Sequence, residues 1–81
     1  MPLLFIHAIN SGYRSRDDGA DYAKPEDALA AGIASATALA ADEIQGGKTS
    51  TAIEVRVEQS DGTALLRSIV SLSVAPLLIP G

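Results

Sequence analysis

The stretch Pro25–Gly46, PEDALAAGIASATALAADEIQG, decides the fold. It is the only segment long enough for a full helix, and the rest of the chain reads as short strands that need a surface to pack on. Ala, Leu, Glu and Gln dominate it, and all are good helix formers. Pro25 suits a first turn, where the amide it lacks would be unpaired anyway. Glu26 and Asp27 place negative charge at the positive end of the helix dipole. Lys24 is a poor N-cap. Gly46 and Gly47 supply the stop, because glycine readily takes the left-handed conformation past a last turn.

Projected at about 100° per residue, Leu29, Ile33, Ala36, Ala40 and Ile44 form one stripe, the expected sheet-facing side. A thinner row of Ala28, Gly32, Ser35 and Leu39 lies beside it, and Ala30, Ala34 and Ala41 line the other flank. Asp27, Ala31, Ala38, Asp42 and Gln45 form the outer back. A surface helix is normally polar on its outer half. This one is small and apolar over most of its circumference. Either alanine serves helix propensity alone, or the small residues let a second backbone approach closely. Gly32, Ala36 and Ala40 have small-xxx-small spacing, which alanine-rich helices also produce by chance.

Leu3 to Asn10, before the helix, is a strand apolar on both faces, the pattern of a central strand. Asn10-Ser11-Gly12 is a turn cluster. Tyr13 to Arg16 is a short, polar edge strand whose Arg14 and Arg16 resist further pairing. Asp17-Asp18-Gly19 is a turn, and Ala20 to Lys24 is an extended link into the helix.

After the helix, Thr51 to Gln59 alternates cleanly: Ile53, Val55 and Val57 on one side, Glu54, Arg56 and Glu58 on the other. Asp61-Gly62 is a hairpin signal for a type I′ turn, leading into Thr63 to Val74. With those two residues as the loop, Val57 faces Leu66, Val55 faces Ser68 and Ile53 faces Val70, so the apolar faces match. The same register sets Arg56 opposite Arg67, unfavourable unless the diagonal Glu54 and Glu58 neutralise them. A three-residue loop with a bulge is the alternative. The tail Ala75 to Gly81 is aliphatic; Pro76 ends the ladder, and Leu77, Leu78 and Ile79 either fold back, lie on a neighbouring subunit or fray. Phe5, Ile9, Leu65 and Ile69 have the parity opposite to the helix-facing set. The expected fold is α+β: a β-β-α-β-β two-layer sandwich, one helix on a four-stranded, mostly antiparallel sheet, in a single domain over residues 1–81.

The opening Met-Pro-x-x-Phe-x-His, the Asp17-x-Gly19 turn, the alanine-rich helix, and Ile53-x-Val55 followed by Asp61-Gly62-x-x-Leu65-Leu66 carry a resemblance. In their order and spacing they resemble a family of short proteins found mostly in rhizobia and related alphaproteobacteria, known only as a domain of unknown function. The resemblance covers nearly the whole chain. It departs at the N-terminal part, where many relatives carry more aromatics and an arginine, and in the aliphatic tail. It implies a small stand-alone domain, and it brings no catalytic residues or cofactor.

A chain of 81 residues buries only about 60–65 % of its unfolded surface. Small domains of this size are supported by disulfides, metals or oligomerisation. There is no Cys and one His, which removes disulfides, thiolate sites and multi-histidine sites. Hydrophobic residues make up 47 % but aromatics only 4 %, so the core must come from small aliphatics. A homo-oligomer, most simply a dimer, is the support that remains. The net charge of −4 argues against nucleic acid, which selects a basic face. The N-terminus lacks a basic n-region and is too short to span a membrane. The reading is a cytoplasmic protein.

No constellation points to catalysis. His7 sits mid-strand; Ser71 or Ser73 with Glu54 would complete a nucleophilic set, but any chain with serines and acids offers as much. Asp17, Asp18 and Asp21 lack calcium-loop spacing, because the twelfth position from Asp17 is Ala28. Arg14, Arg16, Arg56 and Arg67 have the parity to share one sheet face as a site for anions or an acidic partner; with Glu54 and Glu58 interspersed, ordinary solvation explains them equally. Gly46-Gly47-Lys48-Thr49 echoes a phosphate loop but follows a helix instead of preceding one. The leading expectation is a non-enzymatic interaction domain that self-associates. Its contact would use the helix flank at Gly32, Ser35, Ala36 and Leu39, or the uncovered sheet face at Phe5, Leu65, Ile69 and the tail. The alternative is a regulatory module binding a protein partner, similar in element order to antitoxins that pair a partial double-stranded-RNA-binding-like fold with a small toxin. Neither calls for a cofactor or metal.

Overall fold

The computed structural model of the protein describes residues 3–10, 14–75, 77 and 79. The element order is β1 (Leu3–Ile9), β2 (Arg14–Arg16), β3 (Ala20–Asp21), α1 (Pro25–Gln45), β4 (Ser50–Glu58) and β5 (Ala64–Ser73). One helix lies on one face of an antiparallel sheet ordered β2-β1-β4-β5, with β3 also paired to β1. The fold is the expected α+β sandwich with one short strand more. The expected turn at Ser11-Gly12, Tyr13, and Pro76, Leu78, Pro80 and Gly81 of the tail lie outside the described residues.

The helix begins without a side-chain cap on Lys24. It ends in a Schellman arrangement: the Lys48 amide donates to the Glu43 carbonyl at 3.1 Å and the Gly47 amide to Ile44 at 3.0 Å. Gly47, at φ 111, supplies the left-handed residue, while Gly46 stays right-handed at φ −77.

The seam between helix and sheet departs from the expected stripe. The buried line is Ala28, Gly32, Ala36 and Ala40, an i, i+4 row. Leu29 and Ile33 flank it on one side, half-buried, and Ser35 and Leu39 lie exposed on the other. Gly32 and Ala36 therefore correct the expectation of a helix flank open to a partner: both are inside the monomer. A Cβ on Gly32 would stand 2.5 Å from Val55 Cγ1 and 2.9 Å from Ile6 Cγ2. The physical reason is proximity, since the smallest side chains lie where backbone and sheet come closest.

Beneath that row sit Ile53, Val55 and Val57, with Leu4 of β1; these are the largest fully buried side chains. Each contributes about 1.5–3 kcal/mol by burial.

The β4–β5 register is the one anticipated, with Val57 opposite Leu66, Val55 opposite Ser68, Ile53 opposite Val70 and Arg56 opposite Arg67. The turn is not type I′, because among the described residues only glycines have positive φ and Asp61 is therefore excluded from that role. The Gly62 amide donates to Gln59 and the Gln59 amide to Thr63, each at 2.9 Å, giving the three-residue loop Ser60-Asp61-Gly62 with Gly62 at φ 90. A register shift beside Val57 and Glu58 absorbs the extra residue.

The extended link from Ala20 into the helix pairs its first two residues with Leu3 and Leu4. Together β2 and β3 form one interrupted edge along β1, with the register shifted by one residue between them. Asp17 fills the interruption. Its amide donates to the Ile6 carbonyl at 3.0 Å, and its Oδ1 accepts the Ile6 amide at 2.9 Å and the Gly19 amide at 3.1 Å. A side-chain oxygen thus replaces a missing ladder carbonyl.

Candidate functional site

Strand parity sorts the sheet into two faces. Leu4, Ile6 and Ala8 of β1 share the helix side with Ile53, Val55 and Val57. Phe5, His7 and Ile9 share the open side with Glu54, Arg56 and Glu58. On that open side Arg16, His7, Arg56 and Arg67 stand in one cross-strand row over all four long positions of the sheet. The four arginines expected to share a face do so, since Arg14 lies beside Ile9 in the neighbouring row. His7 joins them, a placement the sequence reading did not make.

Two glutamates hold the row together. Glu54 Oε2 accepts from Arg56 Nε at 3.0 Å and its terminal nitrogen at 2.8 Å, and lies 3.5 Å from Arg67 Nε. The hydrogen bonds from Arg56 are the main reason its carboxyl titrates below the ordinary range; burial opposes them, and the charges of Arg56, Arg67 and His7 add to them. This is the expected neutralisation of Arg56 against Arg67. Glu58, 8 % exposed, turns instead to Arg16 Nε at 3.3 Å and His7 Nδ1 at 3.5 Å. The Nδ1 atom makes no hydrogen bond among the described residues.

Phe5 is less open than expected. Its ring packs on Gly19, where a Cβ would come within 2.7 Å, and the Arg16 guanidinium covers it at 4.0 Å from the centroid. Gly19 has φ 86, so the site suits glycine twice over.

A second knot closes the other end of the sandwich. Glu43 accepts from the Thr51 hydroxyl, from Asn10 Nδ2 at 3.1 Å and from Lys48 Nζ at 3.4 Å. The Thr51 hydrogen bond leads in holding its carboxyl below the usual range, against the opposing effect of burial.

The expected contact residues fall into separate places. Gly32, Ser35 and Leu39 line one groove with Ile6, Ala8 and Ser15, where the helix stops short of β2. Ala36 is under the helix with Ile53 and Val55. Leu65 and Ile69 are exposed on β5, Ile69 at 59 %. Leu72 and Val74 are exposed with them, and Leu77 and Ile79 stand at 84 % and 90 %, so these two tail residues do not fold back onto the sheet. The outer edge of β5 is the feature sequence reasoning missed. Its signal was present: ten residues with one charge and no proline.

The register sets Ser71 opposite Ala52, four residues along β4 from the Arg56 that pairs with His7. That is roughly 13 Å at the strand rise, so histidine and serine do not meet as a catalytic pair. Among the described residues no group of three or more His, Asp or Glu side chains is placed to share a metal ion. None of the described helices is long and apolar enough to cross a membrane. No curated protein and no solved structure matches the chain. One family model does match, over residues 3–71, most of the chain: the protein belongs to the family described as a domain of unknown function, DUF6894.

Proposed function

We propose that the protein is a non-enzymatic interaction domain that works as a homodimer in the cytoplasm. The observation that carries this reading is where apolar surface is left uncovered. Among the described residues the exposed large hydrophobics are Leu3, Leu39, Leu65, Ile69, Leu72, Val74, Leu77 and Ile79. All but Leu3 and Leu39 lie in β5 or directly after it, so the exposure is gathered along one edge strand, on both faces of it, and is not scattered over the surface. Its counterpart is a thin interior, where the helix contributes alanine and glycine to the seam and four aliphatic side chains do most of the filling. A monomer with so small a core gains from covering that edge with a partner. The absence of cysteine fits a reducing compartment.

Size-exclusion chromatography with light scattering, run over a wide range of protein concentration, tests the reading. A dimer mass that dissociates on dilution is expected, with a melting temperature that rises with concentration. A monomer mass throughout, with melting indifferent to concentration, overturns it.

A further inference from the structure

We propose that the dimer forms by antiparallel pairing of β5 with β5 of a second copy about a two-fold axis near Val70, which makes one continuous sheet. The inference rests on the homodimer reading and names its surface.

The two edges of the sheet are built differently. The β2 edge is three residues long and carries Arg14 and Arg16, the short charged edge that blocks pairing. The β5 edge is ten residues long, without internal proline, and Arg67 is its single charge. The Val74 amide donates to the carbonyl of Thr49, just before β4. By the alternation of an antiparallel ladder, the backbone groups of Arg67, Ile69, Ser71 and Ser73 then point away from β4. They form a ready row of donors and acceptors. The Arg67 side chain does not block it, because its guanidinium turns toward Glu54 on β4.

A strand pairing with its own copy must be self-complementary. Centred on Val70, the pairing sets Arg67 beside Ser73 of the second copy and Ile69 beside Ser71, so the two arginines stay apart. Leu66 meets Val74 of the second copy, and the exposed Leu77 and Ile79 run on toward Leu65 at the start of the other strand. The apolar tail is thereby given a surface. Face-to-face stacking of the open sheet sides would instead press two basic rows together.

Light scattering on the full chain and three variants decides the matter, with circular dichroism reporting the fold. Ser71→Pro removes an outward amide while leaving the β4 ladder intact, as edge strands tolerate. It should weaken the dimer at least ~10-fold, through two lost bonds per dimer, with an unchanged spectrum. Leu39→Lys on the helix groove should dimerise like the parent. Should Ser71→Pro lose the fold, Ile69→Lys carries the same test, because the pairing brings position 69 of the two copies diagonally together across the axis and so sets two like charges against each other. An undiminished dimer in the folded edge variant overturns the edge pairing and leaves the homodimer reading standing. A parent protein that is monomeric at every concentration overturns both. The register has its own check: the chain has no cysteine, so oxidised Val70→Cys should cross-link into a covalent dimer far faster than Leu39→Cys, and equal rates overturn the axis at Val70.

Discussion

Replacing Gly32 by alanine sets two known effects against each other. Alanine is favoured over glycine within a helix by about 1 kcal/mol, and Gly32 has an ordinary helical backbone that accepts it. Were the position on the surface, the variant would be stabilised. Instead the new methyl would stand 2.5 Å from Val55 Cγ1 and 2.9 Å from Ile6 Cγ2, both inside normal contact. Val55 is fully buried and β-branched, so its χ1 has little freedom to turn away. Over-packing of this kind costs typically about 1–3 kcal/mol. The balance is a net destabilisation of about 1 kcal/mol, or roughly 4–8 °C in Tm for a domain of this size. Gly32→Leu should abolish the fold, whereas Ala38→Leu, on the exposed outer back, should stay within about 0.5 kcal/mol. Urea unfolding followed by far-UV circular dichroism at one fixed protein concentration measures all three. A Gly32→Ala variant more stable than the parent by about 1 kcal/mol would refute the close seam.

Three further outcomes follow from the polar contacts. Asp17→Ala removes the acceptor for the Ile6 and Gly19 amides; it should cost about 1 kcal/mol and speed hydrogen exchange at Ile6, while Asp17→Asn, which keeps the oxygen, should lose less. Glu43 titrates lower in the folded chain than in the unfolded one, chiefly through the Thr51 hydroxyl. Its contribution is therefore full above the ordinary carboxylate range and lost as pH falls through the folded value. Melting curves from neutral to acid pH should consequently show a shallower acid decline in Glu43→Gln than in the parent, and parallel declines would remove Glu43 from the account. Glu54→Gln leaves Arg56 facing Arg67 without its counter-charge, so added salt should raise the variant's Tm more than the parent's.

How much of this was legible in the sequence depends on the range of the interaction. The β4–β5 register was readable because alternation along each strand permits one match of apolar faces. The turn was misread while the register came out right, since the longer loop and the bulge offset each other by one residue. The helix stripe was displaced for a different reason. Hydropathy draws the eye to Leu29 and Ile33, but this helix makes its closest approach to the sheet along its smallest residues, and those larger ones flank that line on one side. Asp17 was recognised as a turn former, yet its service to Ile6, eleven residues away, needs the strand break to be known first. Of the contact residues, Leu65 and Ile69 are exposed on β5, Ala36 lies in the seam on the stripe expected to face the sheet, and Gly32, expected on the flank, is buried in that seam beside it.

The open sheet side shows why association should proceed sideways. Covering it would take Arg16, His7, Arg56 and Arg67 out of water along with only Glu54 and Glu58 as counter-charges on the face. Desolvating such pairs commonly costs more than their attraction returns. The same glutamates make the face stable when wet, because each arginine of the row has an acid within hydrogen-bonding or ion-pair reach. The face therefore needs no cover. The β5 edge has the opposite character: little charge, unpaired backbone groups and a run of aliphatic side chains that water solvates poorly. Extending the sheet satisfies that edge and leaves the charged row of each copy at the solvent boundary, the two rows parallel and set apart along the paired strands. A partner of acidic character would then meet two rows of arginines on one continuous surface, which a single copy cannot offer.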